Sequence, residues 1–295
     1  MEEDVGQSRE IVVARYDENI EWVRQCHMPV TVYNKGKDLF GYENIRCVKL
    51  ENIGREGHTY LYHILTNWDH LADTTIFTQG NPFQHSPDFL KLLNYRFKTV
   101  QPLSFRWLEK TRIPPEKTLN SFRQYWVDDC RVFVQYLNHN LMSICPRSFF
   151  DGGMHHTMRK VRRIYKIKRG ETILGYVWKR LFPNEPLPPL IPFAYVGIFS
   201  APKSAIQSRD KSFYKSCMDF LLEDPNNGYI LERLWLYILG YHHTQKNLYK
   251  NASRPTRPHY NNKVGLRVEL RTLLYNLGLA LRERLKRKTQ NPNGQ

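Results

Sequence analysis

Four short clusters of polar residues in the first ninety positions carry side chains that suit binding of a nucleotide diphosphate. The clusters are Arg15-Tyr16-Asp17-Glu18, Asn34-Lys35-Gly36, Asn52 with Gly54-Arg55-Glu56, and Gln79-Gly80-Asn81 with His85. Arginine and lysine neutralise phosphates, acids and amides hold a ribose or a base, and a ring such as Tyr16 or Tyr33 stacks on the base. Each cluster alone is also typical of an ordinary loop end, but four together favour one shared site.

A further candidate for chemistry is Glu232, an acid inside the mostly apolar run GYILERLWLYIL at residues 228–239. A carboxyl group in apolar surroundings can act as a general base toward an acceptor hydroxyl. A structural ion pair with Arg233 or Arg55 explains the same residue equally well. The pairs His155-His156 and His242-His243 do not indicate a metal site, because adjacent residues on a helix point about 100° apart.

Apolar runs directly before the polar clusters predict the strands that position them. We expect strands at 10–15, 30–33, 48–50 and 74–77, with helical segments at 19–25 and 59–68 between them. Alternating strands and helices are typical of an α/β fold, in which parallel strands end at the same edge of the sheet. The four polar clusters are therefore expected to lie close together.

The rest of the chain is less regular. Residues 94–189 are aromatic and basic without a clear period, and five prolines make residues 183–192 an extended connector. Beyond this segment we expect a strand at 193–200 and helices at 205–222, 228–239 and 264–288. The predicted organisation is one domain at 1–245, in which 94–192 is a basic and aromatic insertion on the acceptor side. A linker and a basic C-terminal helix follow at 246–295.

Composition limits the class of protein. The chain has 44 Lys and Arg against 28 Asp and Glu, a net charge of +16, which favours a polyanionic partner. No signal peptide or apolar run of membrane-spanning length is present in the sequence, so we expect a cytoplasmic protein. The basic C-terminal end also allows a peripheral contact with an anionic membrane. Five scattered cysteines without a C-x-x-C pair predict neither a disulfide framework nor a zinc site.

Several of these strings resemble a known family. VVARYDENIEWV, YNKG, NIGREGHTYLYHI and TIFTQGNPFQH are similar to domain-of-unknown-function family 3431, known from large viruses, fungi and bacteria. The resemblance runs from Ile11 to His85 and resumes from Phe193 to Leu239. That family in turn resembles sugar transferases of the GT-A fold. Residues 13–18 stand at their "VxxYNE" string, residues 52–56 at their "N-x-GRD", and GYILERLW at their "GYxxERL" helix.

The resemblance implies a GT-A-like (Rossmann-like) mixed sheet flanked by helices. It also implies a glycosyltransferase that moves a sugar from a nucleotide-diphosphate-sugar donor to a glycan or protein hydroxyl. Glu232 would activate the acceptor, while His85 and Arg233 would bind the acceptor or support the site. The donor site would consist of Arg15, Tyr16, Asp17, Glu18, Tyr33, Asn34, Lys35, Asn52, Arg55, Gln79 and Asn81.

One departure from the GT-A pattern concerns the metal. Many GT-A enzymes hold a divalent ion with Asp-x-Asp after the fourth strand, whereas this chain has Gln79-Gly80-Asn81. Amides bind hard divalent cations more weakly than carboxylates do. We therefore expect no tightly bound cofactor and do not favour manganese or magnesium, with Arg15, Lys35 and Arg55 supplying the positive charge. The other acidic pair, Asp128-Asp129, is more typical of a solvated edge.

Two alternatives remain open from the sequence. A nucleic-acid-binding protein without enzymatic activity could use the basic cluster between Arg159 and Arg169 together with the basic C-terminal helix. A degenerate transferase kept as a scaffold would also account for the missing acids at Gln79 and Asn81. The sequence does not specify the sugar, the nucleotide, the acceptor or the stereochemical course.

Overall fold

We describe the fold from a computed structural model of the 295-residue chain. The structure describes residues 7–42, 45–104, 123–127, 130–137, 139–141, 152–188 and 191–241. The strands in these ranges are β1 (Arg9–Arg15), β2 (Val30–Asn34), β3 (Arg46–Lys49), β4 (Thr74–Gln79), β5 (Gln101–Pro102), β6 (Arg123–Val127), β7 (Cys130–Leu137), β8 (Ile191–Phe193) and β9 (Phe199–Pro202). The α-helices are α1 (Arg55–Thr66), α2 (Phe89–Leu92), α3 (Gly152–Ile164), α4 (Ile173–Leu181), α5 (Lys203–Ile206), α6 (Lys211–Glu223) and α7 (Asn227–Ile238). Short 3-10 helices lie at Glu21–Gln25, Trp68–His70, Pro82–Gln84 and Tyr195–Gly197.

Six strands form the main sheet in the order β3-β2-β1-β4-β9-β5. The first four run parallel to one another, and Val12 of β1 lies opposite Thr31 on one side and Phe77 on the other. β9 pairs antiparallel with β4 and with β5, so the sheet is mixed. The chain moves outward from β1 to β2 and β3 and then crosses to the other side of β1 for β4. Ligands of open α/β sheets bind outside the carboxyl ends of the strands at such a reversal.

Apolar side chains cover both faces of the parallel strands. Along β1, Val12 and Ala14 belong to the core cluster shared with α1, α6 and α7. Ile11 and Val13 belong to a second cluster, which contains Trp22 of the 3-10 helix after β1. Successive residues of a strand point to opposite faces, so a strand buried on both sides is apolar throughout. This burial explains the continuous apolar run that predicted β1.

A smaller sheet, β6-β7-β8, is antiparallel throughout and lies mostly within the aromatic and basic segment 94–192. The same segment contributes β5 to the main sheet and Val177 and Trp178 of α4 to the main core cluster. In these described parts, the segment is therefore packed against the same core as the parallel strands.

The strand predicted at 193–200 is wrong, because the structure divides it between β8 and β9. The residues between them form the 3-10 turn Tyr195–Gly197, where Val196 has φ +53° and Gly197 has φ +64°. Two left-handed residues in succession cannot continue a strand. The apolar pattern of the sequence does not reveal this turn.

The single helix predicted at 205–222 is also wrong and is replaced by α5 and α6. Arg209 lies in the break, where its guanidinium donates hydrogen bonds to the Glu185 carboxylate (Nη1 to Oε1, 2.6 Å) and to the Ile238 carbonyl oxygen (2.8 Å). The helix predicted at 59–68 begins earlier, at Arg55, and ends at Thr66.

The described residues form one mixed α/β domain with helices packed on its sheet, which confirms the predicted class at this level. Among the helices of the described ranges, none combines the length and apolar character needed to cross a membrane. The predicted C-terminal helix and the rest of the segment 246–295 lie outside the described residues.

Candidate functional site

Arg15, at the end of β1, holds the loops after β1 and β2 together. Its Nε donates to the Glu18 carbonyl oxygen (2.9 Å), and its Nη1 donates to Asn34 Oδ1 (2.7 Å) and to the Lys37 carbonyl oxygen (2.9 Å). Asn34 Nδ2 donates to the same Lys37 oxygen (2.9 Å). Both Arg15 and Asn34 are buried. Two of the predicted donor-binding residues therefore shape the loops that surround the site.

Gly36 allows these two loops to touch. A Cβ atom at this position would lie 1.9 Å from the Tyr16 carbonyl oxygen and 2.6 Å from Asp17 Oδ1. The next backbone N–H, that of Lys37, donates to Asp17 Oδ1 (3.1 Å). The ring of Tyr16 stays on the outside of this junction, since the residue is 51% exposed. Tyr16 is thus an aromatic side chain at the carboxyl edge of the sheet that a base can reach.

Lys35 connects the end of β2 to the start of α1. Its ammonium donates to the Ile53 carbonyl oxygen (2.7 Å) and to the Arg55 carbonyl oxygen. Burial lowers the pKa of Lys35 to about 8, with Arg55 adding to this shift and Glu56 opposing it. A buried ammonium with a pKa near neutrality changes its charge in an accessible pH range.

Arg55 lies at the first residue of α1 with φ +53°, after Gly54 with φ +59°. Its guanidinium lies over the Tyr229 ring at 4.4 Å from the ring centroid and donates to the Tyr229 hydroxyl (3.0 Å). A Cβ atom on Gly228 would come within 3.2 Å of Arg55 Cδ. The side chain is 46% exposed. The Asn-x-Gly-Arg-Glu string and the GYILER helix therefore meet in space.

Two acids lie near this arginine. Partial burial lowers the pKa of Arg55, but the charges of Glu56, Tyr229 and Glu232 outweigh that effect, so the pKa is raised overall. Glu232 Oε2 is 3.5 Å from Arg233 Nη1, and their side chains are only 7% and 3% exposed. Arg233 also lies 5.0 Å from the centroid of the Phe193 ring. The structure thus contains the predicted Glu232–Arg233 pair and places it beside Arg55.

The amides after β4 are engaged with their own loop. Gln79 Nε2 donates to the Asn81 carbonyl oxygen (2.9 Å), and Asn81 Oδ1 accepts from the Phe83 N–H (3.2 Å). Glu18 lies against Gly80, where a Cβ atom would be 2.7 Å from Glu18 Oε2. The side-chain oxygens of such amides bind hard divalent cations more weakly than carboxylates do. In the part of the chain that the structure describes, no three His, Cys, Asp or Glu side chains form a potential metal site.

The remaining predicted site residues are Tyr33, Asn52 and His85. Tyr33 was expected to stack on the base, but its ring is 1% exposed and its hydroxyl lies 3.0 Å from His63 Nδ1. That expectation is corrected, because the side chain points into the core under α1. Asn52 is exposed in the loop before α1. His85 packs edge-on against Tyr195, with ring centroids 5.0 Å apart.

Several residues considered from the sequence lie outside the described part of the chain. They are Asp128-Asp129 and His242-His243. Their predicted roles stay predictions.

A family model described as "Protein of unknown function (DUF3431)" matches residues 11–253. The chain belongs to that family. Both segments that carry the resemblance, 11–85 and 193–239, lie within the DUF3431 match, which confirms the family expected from the motifs. No curated protein and no solved structure matches the chain.

In this DUF3431 chain the sequence motifs missed three residues that line the cluster. Tyr229 lies inside the GYILER string already singled out, three positions before Glu232, so its proximity could have been anticipated. Tyr195 lies in a turn that had been predicted as strand. His58 is buried near Lys35 with no hydrogen-bond partner for Nδ1, and burial, with a smaller effect of the Lys35 charge, lowers its pKa to about 4.

Proposed function

We propose that the protein is a glycosyltransferase that binds a nucleotide-diphosphate sugar at the carboxyl ends of the parallel strands and transfers the sugar to a glycan or protein hydroxyl. The observation that carries the proposal is the meeting of Lys35, Arg55 and the first turn of α1 at this edge of the sheet. Two cations at the positive end of a helix suit a diphosphate. The motif resemblance selects sugar transfer among nucleotide-dependent activities, and a GT-A-like fold is part of the same proposal.

The donor contacts are assigned to the polar side chains at the start of α1 and at the end of β1. Arg55 presents a half-exposed guanidinium and Lys35 has one ammonium proton beyond its two carbonyl contacts, so these two residues bind the diphosphate. Tyr16 stacks on the base, and Asp17 beside it holds the ribose. Arg15, Asn34, Glu18, Gln79 and Asn81 act indirectly, by fixing the loops around the donor.

The transfer step uses Glu232 as the base. The acceptor oxygen bonds to the anomeric carbon while the bond from that carbon to the diphosphate oxygen breaks, and the nucleoside diphosphate leaves with the electron pair. The acceptor proton passes to the Glu232 carboxylate, which Arg233 keeps in position. Arg55 and Lys35 stabilise the negative charge that develops on the leaving group. His85 and Arg233 belong to the acceptor side.

A thermal-shift screen against nucleotide sugars tests donor binding directly. Ligand at about 100 times its dissociation constant stabilises a protein by about 2.7 kcal/mol. With the stabilising donor in hand, Glu232→Gln is expected to bind it normally but to release nucleoside diphosphate about 100-fold more slowly or worse, with water or a mixed glycan pool as acceptor.

Glu223→Gln is the matched control, because Glu223 is also paired with an arginine, Arg180, but on the surface of α6. Its release rate should equal that of the wild type. The proposal is wrong if no nucleotide sugar raises the melting temperature. Glu232 is not the base if its glutamine variant releases nucleoside diphosphate at the wild-type rate.

A further inference from the structure

A basic loop and helix face lie next to the candidate site. Residues 152–170 contain seven Lys and Arg and no Asp or Glu. Five of these side chains are exposed and are called the basic stripe here: Lys160, Arg163, Lys166, Lys168 and Arg169. The stripe comprises the outer face of the end of α3 and the loop that follows.

The loop of the basic stripe is held in one conformation. Arg162, which is not part of the stripe, donates from Nη1 to the Glu171 carbonyl oxygen (2.9 Å) and from Nη2 to the Lys168 carbonyl oxygen (3.1 Å). Glu171 Oε2 accepts from the Lys168 N–H (3.0 Å), and Ile167 is buried beneath the loop. The stripe is therefore preorganised, which lowers the entropy cost of binding a partner.

The segment that carries the basic stripe and the candidate site contact the same turn of α7. Tyr165, between Ile164 and Lys166, donates its hydroxyl hydrogen to Asn227 Oδ1 (2.7 Å). The residue after Asn227 is Gly228, on which the Arg55 side chain lies. The nearby carboxylates are already engaged: Glu223 pairs with Arg180, and Asp224 accepts from the Asn226 N–H. Arg55 and the segment that carries the stripe therefore meet at the first turn of α7.

We infer that the basic stripe binds an anionic glycan chain and that this chain is the acceptor, an inference that rests on the proposed function. Single-stranded nucleic acids are held by exposed aromatic rings beside the cations. Here the rings of Tyr165 and Tyr176 pack against each other, with centroids 4.8 Å apart and planes 31° apart, and both residues are half-buried. Membrane insertion needs a larger apolar face, whereas within residues 157–170 the large apolar side chain that is exposed is Ile164.

The test compares binding of polygalacturonate, a carboxylated glycan, with binding of uncharged dextran. Replacing Lys166, Lys168 and Arg169 together with alanine should weaken polygalacturonate binding on the order of 100-fold at low salt, since each cation near a polyanion contributes roughly fivefold. The salt dependence should become shallower as well. A control with Lys98, Lys211 and Lys215 changed to alanine removes the same charge from exposed positions outside the stripe and should bind nearly as the wild type does.

Donor binding measured on the same variants separates this inference from the proposed function. The stripe variant should keep wild-type affinity for the nucleotide sugar. The inference is wrong if the stripe variant binds polygalacturonate as the wild type does, or if duplex DNA or phosphatidylserine vesicles displace polygalacturonate at lower concentration. If the stripe is needed for glycan binding but no nucleotide sugar binds, the glycan-binding role of the stripe is supported and the proposed transferase activity is contradicted.

Discussion

At the scale of single residues, the cations of the site fall into two groups that the sequence alone does not separate. Arg15 uses three of its five N–H groups on acceptors in the loops after β1 and β2, so it maintains those loops. Lys35, which is as buried as Arg15, and Arg55, whose side chain is 46% exposed, lie at the start of α1 instead. The division arises mainly from contacts between residues 18 to 22 positions apart, which spacing along the chain does not encode.

We expect Lys35 to make donor binding dependent on pH. Its pKa of about 8 means that the free protein carries the ammonium at pH 7 and loses it as the pH rises through 8. Donor affinity should therefore fall between pH 7 and 9.5, by at most tenfold per pH unit for one proton. Lys35→Met keeps the chain length without the charge and should bind about 1.5–3 kcal/mol more weakly at pH 7, with a flat profile. Calorimetric titration over this pH range measures both effects.

A second readout for Lys35 needs no ligand. The folded pKa is below the unfolded value of 10.5, so between pH 8 and 10.5 the unfolded chain binds more protons than the folded one. The free energy of unfolding of the wild type should rise with pH in this window relative to that of Lys35→Met. The free energy of unfolding of both proteins can be measured with urea at pH 8 and at pH 10. If it changes by the same amount between these pH values in the wild type and in Lys35→Met, the lysine is not buried as described.

At the scale of elements, the start of α1 depends on Gly54. This glycine has φ +59°, and an added Cβ would lie 2.8 Å from Leu221 Cδ2 and 2.9 Å from His58 Cβ. Gly54→Ala should lower the free energy of unfolding by about 1–3 kcal/mol, from backbone strain and from overpacking against α6. Urea unfolding measures the change.

Gly57→Ala is the matched control on the same helix, facing the same leucine. Its Cβ would meet Leu221 at 3.8 Å, an ordinary contact. Because alanine is the better helix former, this variant should be as stable as the wild type or up to about 1 kcal/mol more stable. Equal destabilisation by both substitutions would contradict the close packing of Gly54.

The strands that the sequence predicted best are short runs rich in apolar and β-branched residues. β1, β2 and β4 were expected within one or two residues of their observed bounds, because such residues favour buried strands. The expectation failed where backbone conformation decides, at Val196 and Gly197, and where a long-range contact decides, at Arg209. The orientation of the Tyr33 ring was missed. Successive side chains of a strand point to opposite faces, but when both faces are buried the sequence does not say which face lies under a helix.

At the scale of the whole molecule, the strand order places the candidate site at the point where the sheet reverses its direction of growth. The sequence predicted the shared edge but not the order, which depends on which strands pair. The net charge of +16 adds a long-range attraction to anions that is not confined to this edge.

Removing the basic C-terminal end should separate donor binding at the sheet edge from the long-range attraction to anions. Deletion of residues 282–295, which include the string RERLKRK, should leave donor binding intact and weaken salt-sensitive association with anionic vesicles. Sedimentation with vesicles at two salt concentrations, beside calorimetry with the donor, measures both. Loss of donor affinity in the truncated protein would place this segment in the site.

The most direct test of the central claim is a calorimetric titration of the stabilising nucleotide sugar in the presence of EDTA. Arg24→Ala is the control for Arg55→Ala, because the surroundings of the two arginines are alike. Arg55 lies 3.7 Å from Glu56 and over the Tyr229 ring. Arg24 lies 2.9 Å from Glu21 and over the Tyr42 ring, at 4.6 Å from its centroid. We expect binding to survive the chelator, Arg55→Ala to weaken it by about 1.5–3 kcal/mol, and Arg24→Ala to leave it unchanged. If EDTA abolishes binding while Arg55→Ala binds as the wild type does, the metal-free diphosphate site is wrong, and Asp17, Glu18 or Asp128-Asp129 becomes the place to look for an ion.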